Sequence, residues 1–258
     1  MKRGFTLVEI SIVLVIIGLL IGGVLAAQSM VETAKVNKII QEYKQFDIAT
    51  SNFRENYKQW PGDYNNAIAA MGLARQGDGN GVLGNGSEGQ EVFDFFLHLS
   101  NMGMISKSLS IYTIGTPALP VIGAHVIEGK AIKGSYWLAK AMTTIDTTQG
   151  FGVMPWFPYM GYASTSDQNK NFLVYAVENT ASGYNTAAGI PVLTAIAVDT
   201  KIDDGLHNRG SVRGGAGWMG SGAADCLTDP SYNFQALTSV YNRNSVNGCA
   251  LLFEFTRY

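Results

Sequence analysis

The stretch KRGFTLVEISIVLVIIGLLIGGVLAA, residues 2–27, decides how the rest of the chain is read. Two cations, Lys2 and Arg3, open it, and from Phe5 to Val31 the single charged side chain is Glu9. Ile10 to Ala27 carries no charge at all, and as a helix it extends roughly 27 Å, close to the thickness of a bilayer's hydrocarbon core. The segment is therefore predicted to cross a membrane once. Lys2 and Arg3 place Met1 on the cytoplasmic side by the positive-inside tendency, so everything after the helix is expected on the far side.

Two processing outcomes fit such a start. In one, an ordinary secretory signal is cut after Val24-Leu25-Ala26, close to Gln28, and releases a soluble binding domain or hydrolase. Two features oppose it. The apolar run is longer than the roughly 7 to 15 residues usual in a signal peptide. It also begins beside a carboxylate, and a charge in mid-membrane costs roughly 2.5 to 3.5 kcal/mol on insertion scales. Glu9 is expected to have a partner that offsets this.

Lys2-Arg3-Gly4-Phe5-Thr6-Leu7-Val8-Glu9-Ile10, with the apolar run that follows, resembles the leader of type IV prepilins and pseudopilins. The resemblance implies that a membrane-bound prepilin peptidase cuts after Gly4 and methylates the new N-terminus, Phe5, while the apolar helix stays attached. It further implies a structural subunit and not an enzyme: a minor pilin or pseudopilin of a type IV pilus or a type II secretion pseudopilus. Its partners would be the peptidase, other pilin or pseudopilin subunits, the assembly platform of the inner membrane and the membrane itself. The chain would be single-pass in the inner membrane with its head in the periplasm, then part of a periplasmic or cell-surface filament. In the family the carboxylate matching Glu9 engages a neighbour's N-terminal amine during assembly. By spacing alone the amine of Phe5 in the same chain is equally near, four residues away on one helix. Gly18 and Gly22 form a GxxxG pattern that lets apolar helices approach closely, although glycine is common in membrane helices without such a role. Many filament-forming relatives have a proline in this helix; here there is none.

Beyond Ala27 the helical pattern persists, because Val36, Ile39, Ile40, Tyr43, Phe46, Ala49, Phe53 and Tyr57 recur at steps of three or four. Lys35, Lys38, Glu42, Lys44, Asp47, Arg54 and Glu55 fill much of the other face, so this part is amphipathic and not more membrane span. Trp60-Pro61-Gly62-Asp63 reads as the turn that ends it. The expected organisation is a leader at residues 1–4, a transmembrane and assembly helix at 5–28, its amphipathic continuation at 29–57, and a globular head at 58–258.

The 258 residues hold 18 Lys plus Arg against 20 Asp plus Glu, net −2, a balance that gives nucleic-acid binding no support. Two cysteines and three scattered histidines exclude a zinc-ribbon site. In the head, Asn65 to Arg75 and Gly89 to Met102 read as helical, and Pro191 as the first residue of a short helix ending near Asp199. Ser108 to Ile114, Val121 to Glu128, Phe172 to Val177 and Cys249 to Phe255 read as strands. The fold class is α+β, a long N-terminal helix with an antiparallel sheet laid against it, in the manner the pilin resemblance implies.

Candidate sites in the head each have a plain alternative. Asp78, Asn80, Asn85, Glu88 and Glu91 cluster their oxygens in a glycine-rich loop and are candidate ligands for Ca²⁺, off the EF-hand spacing. An exposed turn explains the same residues. No other cofactor is expected. Asp199, Asp203 and Asp204 form a second acidic loop, with an Asp-Gly turn as its alternative. Cys226 and Cys249, in an exported head, are expected to be bonded, with free thiols as the alternative; the bond contributes about 3.5 kcal/mol by the loop-entropy estimate. Their loop resembles the C-terminal disulfide-bounded region of type IV pilins. Gly79 to Gly84 and Gly215 to Gly220 satisfy GxGxxG, but without a βαβ unit neither is a dinucleotide site. Phe151, Trp156, Phe157, Tyr159 and Tyr162 offer either a contact surface or core residues. His98, His125 and His207 accompany no recognisable nucleophile motif.

Overall fold

The computed structural model describes residues 6–84, 90–112, 121–142, 170–177, 189–215, 226–228, 240–244 and 247–256. A single helix, α1, runs over Leu7–Tyr57, 51 residues and so roughly 77 Å of unbroken rise. Thr6 caps it, and Lys58 closes it in the left-handed region at φ 57°, its N–H returning to the Arg54 carbonyl. The expected turn follows. Gly62 has φ 83°, and a Cβ there would lie 2.3 Å from the Glu91 carbonyl oxygen, so only glycine passes.

The head continues with α2 (Ala67–Met71), α3 (Glu91–Asn101), β1 (Ile127–Glu128), β2 (Ser135–Met142), β3 (Lys170–Val177), β4 (Ile190–Pro191), α4 (Val192–Ile202), β5 (Val212–Gly215) and β6 (Asn247–Glu254). The strands form one antiparallel sheet in the order β1-β2-β3-β6-β4, with β5 also paired to β6. Trp137 faces Tyr175 across β2 and β3, and Leu173 faces Phe253 across β3 and β6. By strand alternation these side chains share one face, and α1 packs on it. Phe46 meets Trp137 edge-on with ring centroids 5.6 Å apart, and Tyr43 stacks on Phe253 at 4.7 Å. The opposite face carries Tyr136, Leu138, Val174 and Ala250. Helix α3 serves both sides, sending Phe95, Phe96 and Leu99 toward the α1 side and Val92 and Phe93 to the other.

Polar groups fix the register of α1 on the sheet. The buried Glu42 carboxylate accepts from Trp137 Nε1 at 2.9 Å and from the Lys130 N–H at 3.1 Å. Asp47, also buried, accepts from the N–H and hydroxyl of Thr256, while the Tyr43 hydroxyl donates to the Glu254 carbonyl at 2.9 Å.

Several expected elements need correction. Ser108 to Tyr112 forms no strand; the rest of that span lies outside the described residues. Val121 to Glu128 pairs as a strand only at its last two residues. The earlier part turns back on itself, because His125 N–H donates to the Val121 carbonyl and Val121 N–H to His125 Nδ1, with Gly123 at φ 82°. The helix expected over Asn65 to Arg75 shrinks to Ala67–Met71, ended by Gly72 at φ 66°. Pro191 caps α4 and is not its first residue, and that helix runs on to Ile202. Strands β2, β4 and β5 have no counterpart among the expected strands.

Candidate functional site

At the N-terminal end, Thr6 and Glu9 close a capping box. The Thr6 N–H and hydroxyl donate to Glu9 Oε2 at 2.7 and 2.8 Å, and the Glu9 N–H donates to Thr6 Oγ1 at 3.3 Å. A carboxylate here also meets the positive end of the helix dipole. Both donors fall on Oε2; among the described residues none reaches Oε1. Gly4 and Phe5 lie outside the described residues. Around Gly18 and Gly22 an added Cβ would meet nothing within 4 Å, so the chain itself does not use their smallness. The helix is long and apolar enough to cross a membrane, and its apolar window is not buried by the head.

The first acidic loop is built around Asp63, which the sequence placed only in the Trp60 turn and not among the candidate ligands. Asp63, buried at the end of the Trp60 turn, accepts from the N–H groups of Gly79 (2.8 Å), Asn80 (3.1 Å) and Gly81 (2.8 Å). Glu91 takes the Asp78 N–H at 3.1 Å and the Gly84 N–H at 3.0 Å. Carboxylate oxygens of Asp63, Asp78 and Glu91 thereby come within 4.8 Å of one another. Asn80 stands differently: its Oδ1 accepts from the Val82 N–H at 2.7 Å and its Nδ2 donates to Asp78, so its side chain is committed to the loop. Asn85 and Glu88 lie outside the described residues. Asn171 then ties the loop to the sheet, accepting from the Leu83 N–H and donating to the Gly81 carbonyl, both at 2.9 Å.

Burial pushes the Asp63 carboxyl up to about 6; the N–H groups of Gly81 and Gly79 pull the other way, and the charge of Asp78 adds to the rise. Burial likewise raises Glu91, against the N–H groups of Gly84 and Asp78. Three carboxylates so placed offer hard oxygen ligands of the type Ca²⁺ takes. The same geometry disposes of the first GxGxxG stretch as a phosphate cradle, since Asp63 already occupies its N–H groups.

The second acidic loop has the same logic. Asp199, wholly buried at the end of α4, accepts from the Tyr241 hydroxyl at 2.7 Å and the Gly205 N–H at 3.0 Å, and its oxygens lie within 4.8 Å of those of Asp203 and Asp204. Asp203 accepts from the Ser211 and Val212 N–H groups, and Arg209 pairs with Asp204 at 3.3 Å. Burial lifts Asp199 to about 6, with the Tyr241 hydroxyl opposing; burial also raises the Tyr241 phenol. Tyr241 is delivered by the loop that the Cys226–Cys249 disulfide closes, both cysteines being fully buried. Asn242 N–H donates to the Cys226 carbonyl at 2.7 Å beside it.

The histidines serve three separate turns. His98 Nδ1 accepts from the Gly62 N–H at 2.9 Å, and burial, then the charge of Arg75, holds it near 4 and therefore neutral. His125 closes the turn described above, and His207 packs edge-on against Tyr241 at 5.9 Å. The aromatic stretch Phe151 to Tyr162 lies outside the described residues.

Residues 1–25 match the family model for the prokaryotic N-terminal methylation motif. The chain therefore carries the type IV prepilin and pseudopilin signature, on a pilin-like α+β architecture with a long apolar N-terminal helix. No curated protein and no solved structure matches it.

Proposed function

We propose that the chain is a minor pilin or pseudopilin, a structural subunit of a type IV pilus or type II secretion pseudopilus. It is the substrate of a prepilin peptidase, which cuts between Gly4 and Phe5 and methylates Phe5, and it performs no catalysis of its own. Single-pass in the inner membrane with its head in the periplasm, it is drawn by the assembly platform into a filament of similar subunits. The observation that carries this reading is the methylation motif at residues 1–25 seated on a helix whose first half the head leaves uncovered.

Glu9 supplies the assembly chemistry. Its Oε2 is held by Thr6 within the chain, which offsets part of the cost of a carboxylate beside a membrane span. A neighbour's Phe5 amine then pairs with the carboxylate as apolar helices pack, with Gly18 and Gly22 permitting close approach. Glu9→Leu should insert and be cleaved as the native chain is, because leader and apolar run remain, yet enter sheared filaments poorly. Native filament levels at matched membrane levels would sink the proposal.

A further inference from the structure

We propose that the N-terminal end of α4 is a membrane-contacting edge of the head: Leu193, with Met30 and Val31 of α1, sits in the interfacial layer of the bilayer that α1 crosses. This deepens the reading of α1 as an anchor and rests on it.

The height of that edge follows from one contact. If Ile10 to Ala27 fills the hydrocarbon core, Glu32, the first charge after it, lies roughly 7.5 Å further along the helix axis, inside the headgroup layer. Thr194 Oγ1 lies 3.4 Å from Glu32 Oε2, so the first turn of α4 is held at the same level. Helix α4 then climbs away from the membrane beside α1, for Lys201 Nζ reaches Asn37 Oδ1 at 2.9 Å.

Within that first turn Val192, Thr194 and Ala195 face inward, and Leu193 alone is turned out, 64% exposed. At the same level of α1, Met30 is 71% and Val31 53% exposed. Three large apolar side chains thus stand uncovered where the apolar surface of the anchor meets the head. Continuity with the span names the occupant, the glycerol and upper acyl region of the lipid, where an apolar edge gains burial while flanking charges stay wet. Glu32 and the partly exposed Lys35 that pairs with it are placed for the headgroups, the lysine by extending its stem. Ile68, exposed in α2, follows the turn that ends α1, whose last residue Tyr57 is roughly 38 Å along the axis from Glu32.

The test uses the full chain in nanodiscs of phosphatidylethanolamine and phosphatidylglycerol, with a nitroxide on Leu193→Cys, the native cysteines being bonded to each other. Power saturation with oxygen and with a water-soluble nickel chelate reads depth. Val24→Cys serves as the marker for the span and Ile68→Cys as the marker for water. The expected result at position 193 is an oxygen-to-chelate accessibility ratio between the two markers and several-fold above that at 68. A ratio at 193 equal to that at 68, with position 24 lipid-buried, overturns the membrane edge and leaves the anchor standing. Spin–spin broadening at 193 without lipid accessibility also overturns it, by naming a second copy of the chain as the occupant. Chelate access at position 24 would defeat the anchor and the edge together.

Discussion

The two halves of α1 are built from similar apolar side chains and meet opposite fates. From Leu7 to Val31 the large aliphatic side chains are exposed, whereas Val36, Ile39, Tyr43, Phe46, Ala49 and Phe53 are buried against the sheet. The difference lies in the polar residues. The first half has none that would mark one face as the outer one, so no face is selected for the head. The second half places lysines outside and turns Glu42 and Asp47 inward, where matched donors receive both. Apolar content makes a helix adhesive; matched polar groups decide what it adheres to, and in which register.

That contrast is broken most forcefully at Phe53, fully buried between Tyr57, Tyr64 and His98. Phe53→Ala should lower the unfolding free energy of the head by about 3–5 kcal/mol in urea titrations of the full chain in detergent. Cys226→Ser with Cys249→Ser, which opens the loop that brings Tyr241 to Asp199, should cost about 2–5 kcal/mol in the same assay. Glu42→Ala should cost about 2–3 kcal/mol, because Trp137 Nε1 and the Lys130 N–H are left without their acceptor. Leu14→Ala, in the uncovered half, should change head stability by less than about 0.5 kcal/mol. A Leu14→Ala loss as large as that at Phe53 would mean that the head covers the first half after all.

A smaller effect is expected from the acidic loop at the far end of α1. Folding raises the Asp63 pKa from 3.8 to about 6, so the native state holds that proton more tightly than the unfolded chain. Its stabilising contribution is complete below about 3.8 and is lost as the pH rises through about 6. Asp63→Asn should therefore flatten the dependence of Tm on pH between those values. At pH 7 millimolar Ca²⁺ should raise the Tm of the native chain above that in chelator, and do so less in Asp63→Asn. Equal melting with Ca²⁺ and chelator would remove the cation from the account of this loop.

The long helix and its stop at the Trp60 turn are legible because their signals are local: periodicity and Pro61-Gly62. The disulfide partners are legible because only two cysteines exist. Strand β2 escapes notice because Ala139, Lys140 and Ala141 interrupt its apolar run with residues of low strand propensity, and pairing along β3 overrides them. Strand β5 ends in Gly214 and Gly215, which read as a turn; a Cβ on Gly214 would lie 2.3 Å from Tyr241, so packing and not turning explains that glycine. Asp63 is missed for a different reason. It precedes its N–H donors by 16 to 18 residues, and no periodic signal connects a turn aspartate to a distant glycine loop.

The central claim, that the apolar first half of α1 stays on the mature protein as an assembly helix, is tested most directly at the N-terminus. Mass spectrometry of the protein isolated from membranes should find a chain beginning at N-methylated Phe5, and Gly4→Leu should leave the leader uncut. A mature start between Ala26 and Gln28 would contradict the account, for the protein would then be a released soluble domain without the helix on which the rest depends.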